Sequence, residues 1–139
     1  MTRSWPVIAV ADVLASSRWY QTLLGCASPM DASSSHRKRF DQLMDADRSV
    51  VLCLQSWEGH ELPWSPGDGP VGNGLSLLFI VDDFDAAWER AGALDVPVDQ
   101  KPEVTPGFRA RQFAVRDPDG YRVSIGDRQS GWFASSGLT

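Results

Sequence analysis

The densest group of candidate ligands in the sequence is Glu58-Gly-His60-Glu61, three oxygen and nitrogen donors within four residues. Imidazole and carboxylate are the donors that divalent transition metals favour. The group lies, however, in residues 56–74, a stretch with five Gly and three Pro, and a metal centre needs ligands on rigid supports. It is read as exposed loop polars. The other histidine, His36, opens the basic run His36-Arg37-Lys38-Arg39, which is read as a solvated face. Cys26 and Cys53 lack the C-x-x-C spacing of redox and zinc motifs, and Cys53, inside VVLCLQ, reads as a small buried hydrophobe. The Gly-rich GDGPVGNG lacks the Lys-Ser/Thr of a phosphate loop and precedes a strand rather than a helix. No G-x-S-x-G elbow is present, and neither histidine sits in a motif that would serve a nucleophilic serine. What remains is aromatic. Of six tryptophans, Trp19 and Trp88 fall at core positions of helices, but no periodicity demands Trp57 or Trp64. An indole face is a good stacking surface for a planar or cationic ligand.

The elements that must position these residues follow from periodicity and caps. PVIAVA (6–11) alternates as a strand. Asp12 then caps an amphipathic helix that Gly25 closes, with Val13, Leu14, Ser17, Tyr20, Leu23 and Leu24 as its expected buried face. KRFDQLMDADRSVVLCLQ reads as two strands joined at Asp45–Arg48, and LSLLFIV (75–81) as the next strand. A second helix follows, capped by Asp82 or Asp83. PVDQKPEV is a Pro-broken edge strand, and RARQFAVR and YRVSIGD form a hairpin about the type I turn Asp117-Pro-Asp-Gly120. The same order recurs. Val10-Ala-Asp12 before a helix matches Val81-Asp-Asp83, 71 residues later, and Asp45-Ala-Asp47 before a strand matches Asp117-Pro-Asp119, 72 residues later. Two anchor pairs at nearly one offset indicate an internal repeat. The expected organisation is a single domain over 1–139. It comprises a first β-α-β-β-β unit (1–56), a connecting loop (57–74), a second unit (75–127) and a C-terminal tail (128–139).

At 139 residues, with 42% hydrophobic and 22% charged residues, the chain can bury a core without disulfides or metals. A net charge of −5 argues against nucleic acid, which needs a basic surface. No apolar run approaches the roughly 20 residues of a membrane span, and Asp12 interrupts the only run that resembles a signal peptide. No nucleic-acid or membrane partner is expected, and a cytoplasmic location is.

The repeat, with PVIAVADVLASSRWYQTLLG at one end and FAVRDPDGYRVSI at the other, resembles the vicinal oxygen chelate superfamily. That group includes glyoxalase I, extradiol dioxygenases, fosfomycin-resistance enzymes and bleomycin-resistance proteins. The resemblance implies an α+β fold in which two repeated β-α-β-β-β units form a curled mixed sheet around a cleft, helices outside. In the family's metalloenzymes the ligands are His, Gln or Glu, on the first and last strands of each unit. Those positions fall on Trp5, seven residues before the helix-capping Asp12; Ser76, six before Asp82-Asp83; Ser124, four after Gly120; and Leu52 or Cys53 on the strand after Asp45-Ala-Asp47. Indole has no lone pair to donate, and neutral hydroxyls are poor ligands for divalent ions.

The resemblance therefore points to a protein without metal or other cofactor, similar to the bleomycin-resistance proteins, which act by sequestration and not by turnover. The expected ligand is a small organic molecule, antibiotic-like in kind. It would be held by Trp5, Leu52, Trp57, Trp64, Ser76, Leu78, Phe108, Arg122 and Ser124, with no catalytic residues. Phe108 lies near the place where bleomycin-resistance proteins carry a stacking aromatic. The acidity of the chain favours a cationic ligand, while Arg122 favours an anion. The alternatives are a metal-dependent lyase, isomerase or dioxygenase, using other residues such as His36 or His60, and a non-catalytic interaction module. Pairing of the chain as a homodimer is expected from the apolar cleft wall and open sheet edges.

Overall fold

A computed structural model describes residues 2–30, 34–57 and 72–135. The chain divides into two compact units, Met1–Gly69 and Pro70–Thr139, built from two mixed sheets and three short helices in an α+β arrangement.

In the first unit β1 (Val7–Val10) leads to α1 (Val13–Leu24). Asp12 caps the helix through Oδ1, which accepts from the Ala15 amide at 3.0 Å. Gly25, at φ +71°, ends it in the left-handed conformation that costs a residue without Cβ nothing. A 3₁₀ turn (Ser35–Lys38), β2 (Phe40–Met44) and β3 (Val50–Ser56) follow. The strand order is β1-β3-β2, with β1 parallel and β2 antiparallel to β3. Ser17 and Trp19 are buried as expected, but Ser16 is buried too, and Leu14 and Leu24 are not fully so. Ser17 Oγ donates to the fully buried Asp41 carboxylate at 2.7 Å, which also accepts from Ser28 Oγ and, at 3.0 Å, from Arg37 Nε. A buried charge demands such partners, and they fix how α1 lies on its sheet.

The second unit repeats the plan. β4 (Ser76–Val81) leads to α2 (Phe84–Ala93), capped by Asp83, whose Oδ1 accepts from the Ala86 amide at 3.0 Å. β5 (Val98–Val104), β6 (Arg111–Arg116) and β7 (Arg122–Asp127) complete a sheet of order β4-β7-β6-β5. β5 is an edge strand with register breaks on either side of Gln100, as Pro102 led us to expect. Phe84 and Trp88 of α2 meet Phe113 edge-on, with centroids at 5.4 and 5.1 Å, so the Phe113–Val123–Ile125 face is the helix side.

The turns correspond as the repeat requires. Arg48 N–H donates to Asp45 O at 2.9 Å, and Gly120 N–H to Asp117 O at 3.0 Å. Arg48 and Gly120, 72 residues apart, both have positive φ. The units differ in one strand. Three strands were expected after each helix, but in the first unit the counterpart of β5 is reduced to a single bridge, Ala27 to Met44. After β7 comes α3 (Gly131–Ser135), which docks on the β5–β6 loop through Trp132 N–H to Phe108 O at 2.8 Å.

Candidate functional site

Within each unit the sheet face turned away from its helix carries some of the residues singled out in the sequence: Ser76, Leu78, Arg122 and Ser124 in the second. Register decides the membership, because side chains alternate along a strand and paired residues share a face. In the second unit Leu78 pairs with Ser124, which pairs with Ala114, and Ser76 pairs with Arg122, which pairs with Arg116. Gln112 and Gly126 extend the same face. Leu78 and Ser76 are exposed, while Ser124, Ala114 and Gln112 are buried. Ser76 and Ser124 lie close enough to bond each other, Oγ to Oγ at 3.2 Å.

In the first unit Val7 pairs with Cys53, which pairs with Gln42. Leu52 pairs with Leu43 and, like Leu54 and Ile8, belongs to the buried helix side. Leu52 is thus fully buried on the opposite face to Val7, and the fourth family position falls to Cys53, 71 residues before Ser124. Strand parity alone could have found this, had the Val7 register been known. The residue before Pro6, Trp5, is 60% exposed. Trp57, just past β3, is partly exposed, with its N–H on Val10 O at 3.2 Å. Trp64 and His60 lie outside the described residues. His36 is exposed beside Phe40, at 6.5 Å between ring centroids.

The four family positions are therefore Trp5, Cys53, Ser76 and Ser124, and they do not suit a divalent metal. Trp5 has no donor pair to offer, and the two serines are neutral hydroxyls that can satisfy one another. Burial pushes the Cys53 thiol up, away from the thiolate a metal would bind. Among the described residues no three His, Cys, Asp or Glu side chains come together in a way that could hold a metal ion.

Two recesses open at equivalent places in the two units. The first, about 550 Å³, is lined by Trp5, Met44 and Val50 among others, beside Asp47, whose carboxyl Ser49 holds below the usual range through its hydroxyl and amide. The second, about 420 Å³, is lined by Ser76, Arg116 and Arg122 together with the turn Gly72–Leu75. Residues 5, 44 and 50 stand 71 or 72 positions before 76, 116 and 122, so the same three positions are apolar in one unit and polar in the other. Arg116 Nε and Arg122 NH1 both bond Asp99 Oδ2, at 2.7 and 3.0 Å. Two guanidiniums share one carboxylate.

Phe108 is 39% exposed and forms an aromatic cluster with Trp132 and Phe133, at 5.6 and 5.2 Å. The two tail aromatics differ in burial. Phe133 is buried against Gly126, where a Cβ would meet its ring at 2.5 Å, and Trp132 is exposed.

The comparisons with known proteins agree with this geometry. The model of the Glyoxalase/Bleomycin resistance protein/Dioxygenase superfamily matches residues 3–125, and the chain belongs to that superfamily. Among solved structures it is similar to TioX from Micromonospora sp. ML1, at 18% identity and a TM-score of 0.70, covering 91% of this chain and 98% of that one. An integron cassette protein from the mobile metagenome of V. cholerae is similar at 21% identity and a TM-score of 0.67, over 91% and 94% of the two chains. A glyoxalase/bleomycin resistance protein/dioxygenase family enzyme from Burkholderia phytofirmans PsJN gives 22% and 0.66, over 89% and 96%. At these identities the likeness is one of fold. No curated protein matches the chain.

Proposed function

We propose that this chain is a small-molecule-binding member of its superfamily that works without a metal. The observation that carries the reading is the donor set at the four family positions: an indole, a thiol held protonated by burial, and two serine hydroxyls within bonding distance of each other. The superfamily's metal chemistry uses the ion as a Lewis acid, and these residues offer it no charged or imidazole ligand. The chain offers what a binding site needs instead: exposed apolar surface at Trp5, Val7 and Leu78, exposed aromatic surface at Trp57 and Phe108, and hydroxyl and guanidinium groups at Ser76 and Arg122. The ligand is a planar or amphipathic organic molecule, taken up without turnover.

Metal analysis of protein purified without an affinity tag tests the first half. It should find well under one equivalent of zinc, nickel, manganese or iron, and about one per chain would overturn the reading. A fluorescence-quench screen of planar natural products and antibiotics tests the second half. Its hits should bind several-fold more weakly to Trp57→Ala, Trp64→Ala or Phe108→Ala, since stacking contributes about 1 kcal/mol per ring. Hits indifferent to all three substitutions would leave those aromatics as packing groups only.

A further inference from the structure

The recess at Ser76, Arg116 and Arg122 has a chemistry that the small-molecule reading does not specify. Arg116 and Arg122 converge on one oxygen of Asp99, and Arg116 NH1 also donates to Gly120 O at 3.1 Å. Each guanidinium has five N–H donors in a fixed fork, so both keep donors beyond these bonds. Their side chains remain 41% and 34% exposed. Of the groups bonded directly to one another here, one carboxylate faces two guanidiniums. Asp117, in the adjacent turn, accepts from the Asp119 and Tyr121 amides through Oδ1. The Ser76 hydroxyl stands on the same face, paired in register with Arg122. The recess thus combines a fork-shaped donor surface and a hydroxyl, which is how planar and tetrahedral oxyanions are recognised.

A second observation comes from the other end of the face. Gln112 is 8% exposed, and its Nε2 is buried with no hydrogen-bond partner among the described residues. An unpaired buried amide donor is costly, and register puts Gln112 on the Arg116 face, four residues along β6. At about 3.4 Å per residue the two ends are about 14 Å apart, and the Phe133 ring over Gly126, the register partner of Gln112, closes the far one. Between them this face presents Leu78, Ala114 and Ser124.

We propose that the Ser76–Arg116–Arg122 recess is an anion subsite. It takes the carboxylate or phosphoryl group of an organic anion whose apolar body lies along Leu78 and stops short of the Phe133 ring that covers Gly126. The proposal rests on the small-molecule reading and specifies the ligand's charge and length. It reverses the cationic ligand that the chain's overall acidity suggested, because a pocket responds to its local charges and not to the net charge.

The test is an NMR titration of ¹⁵N-labelled protein with four matched probes: 2-naphthoate, 2-naphthyl phosphate, neutral 2-naphthamide and the cationic 2-naphthyltrimethylammonium. The acids should bind at least about tenfold more tightly than the amide, as charge-assisted bonds to arginine would give. They should shift the Gly74 and Ser76 amides and the Nε–H signals of Arg116 and Arg122. Arg116→Gln and Arg122→Gln should each bring the acids down to the level of the amide. Preference for naphthoate indicates a carboxylate ligand, and preference for the phosphate a phosphoryl one; either supports the subsite. Amide binding equal to that of the acids, or tightest binding by the cation, overturns the anion subsite and leaves the small-molecule reading standing. If no probe shifts any residue of the face, the subsite is refuted, while the metal analysis and quench screen continue to judge the broader reading.

Discussion

Gly126 is the most sensitive single position on the β7 face, and the reason is steric. A Cβ there would meet Phe133 Cε2 at 2.5 Å and two more ring carbons at 3.1 and 3.2 Å. Comfortable carbon contacts begin near about 3.5 Å, so the ring must retreat by about 1 Å. Phe133 is 2% exposed and shares its cluster with Phe108 and Trp132, so it has little room to do so. Overpacking of this kind costs about 1–3 kcal/mol. Gly126 does not have a positive φ, so removing glycine's extra backbone entropy from the strand returns about 0.5–1 kcal/mol. Gly126→Ala should therefore be destabilised by about 0–2.5 kcal/mol, or roughly 3 °C in Tm per kcal/mol at this chain length. In a Phe133→Ala background the clash disappears and the sign reverses: alanine at 126 should be neutral or stabilising. The assay is thermal and urea unfolding of the four proteins of the cycle, with hydrogen exchange at the Trp132 amide, whose bond to Phe108 O reports docking of α3. An equal penalty in both backgrounds would refute the reasoning, because the cost would then belong to the strand and not to the ring.

Two further outcomes are expected. Burial raises the Cys26 thiol from 9.0 to about 11; an unfolded thiol loses its proton first, so stability should fall as pH rises from about 9 towards 11. Cys26→Ser should remove that slope from urea titrations, and a slope unchanged by the substitution would place its origin elsewhere. We also propose that the chain pairs as a homodimer, because Trp5, Val7, Leu75 and Leu78 are exposed at or beside β1 and β4, the edge strands of their sheets. Light scattering coupled to size exclusion should give roughly twice 15.3 kDa, and a monomer at micromolar concentration would exclude it.

Much of the fold was legible because its signals are local. Asp12 and Asp83 announce their helices, since a short carboxylate can accept an N–H three residues on. Asp117-Pro-Asp-Gly120 announces its turn, because proline and glycine each meet a dihedral requirement. The 71- and 72-residue offsets between such markers exposed the repeat, from which the resemblance assigned positions at Trp5, Ser76 and Ser124. Side-chain identity at those positions is likewise a property of the chain alone: indole and hydroxyl are poor metal ligands wherever they stand.

What the chain could not announce depends on partners distant in sequence. Leu52 and Cys53 are neighbours of similar hydrophobicity, and only the pairing of Cys53 with Val7 and Gln42 separates them, since a shift of one residue moves every side chain to the other face. The burial of Ser17 on α1 was expected, but its partner was not: Asp41, 24 residues away, accepts from its hydroxyl. The ligand's expected sign turns on Asp99, Arg116 and Arg122, three residues from three strands: their sum in the sequence vanishes into a net charge of −5, but at 2.7 and 3.0 Å two guanidiniums meet on one carboxylate. Electrostatic interaction falls with distance and not with sequence separation, so the charge of a pocket exists only once the chain has folded.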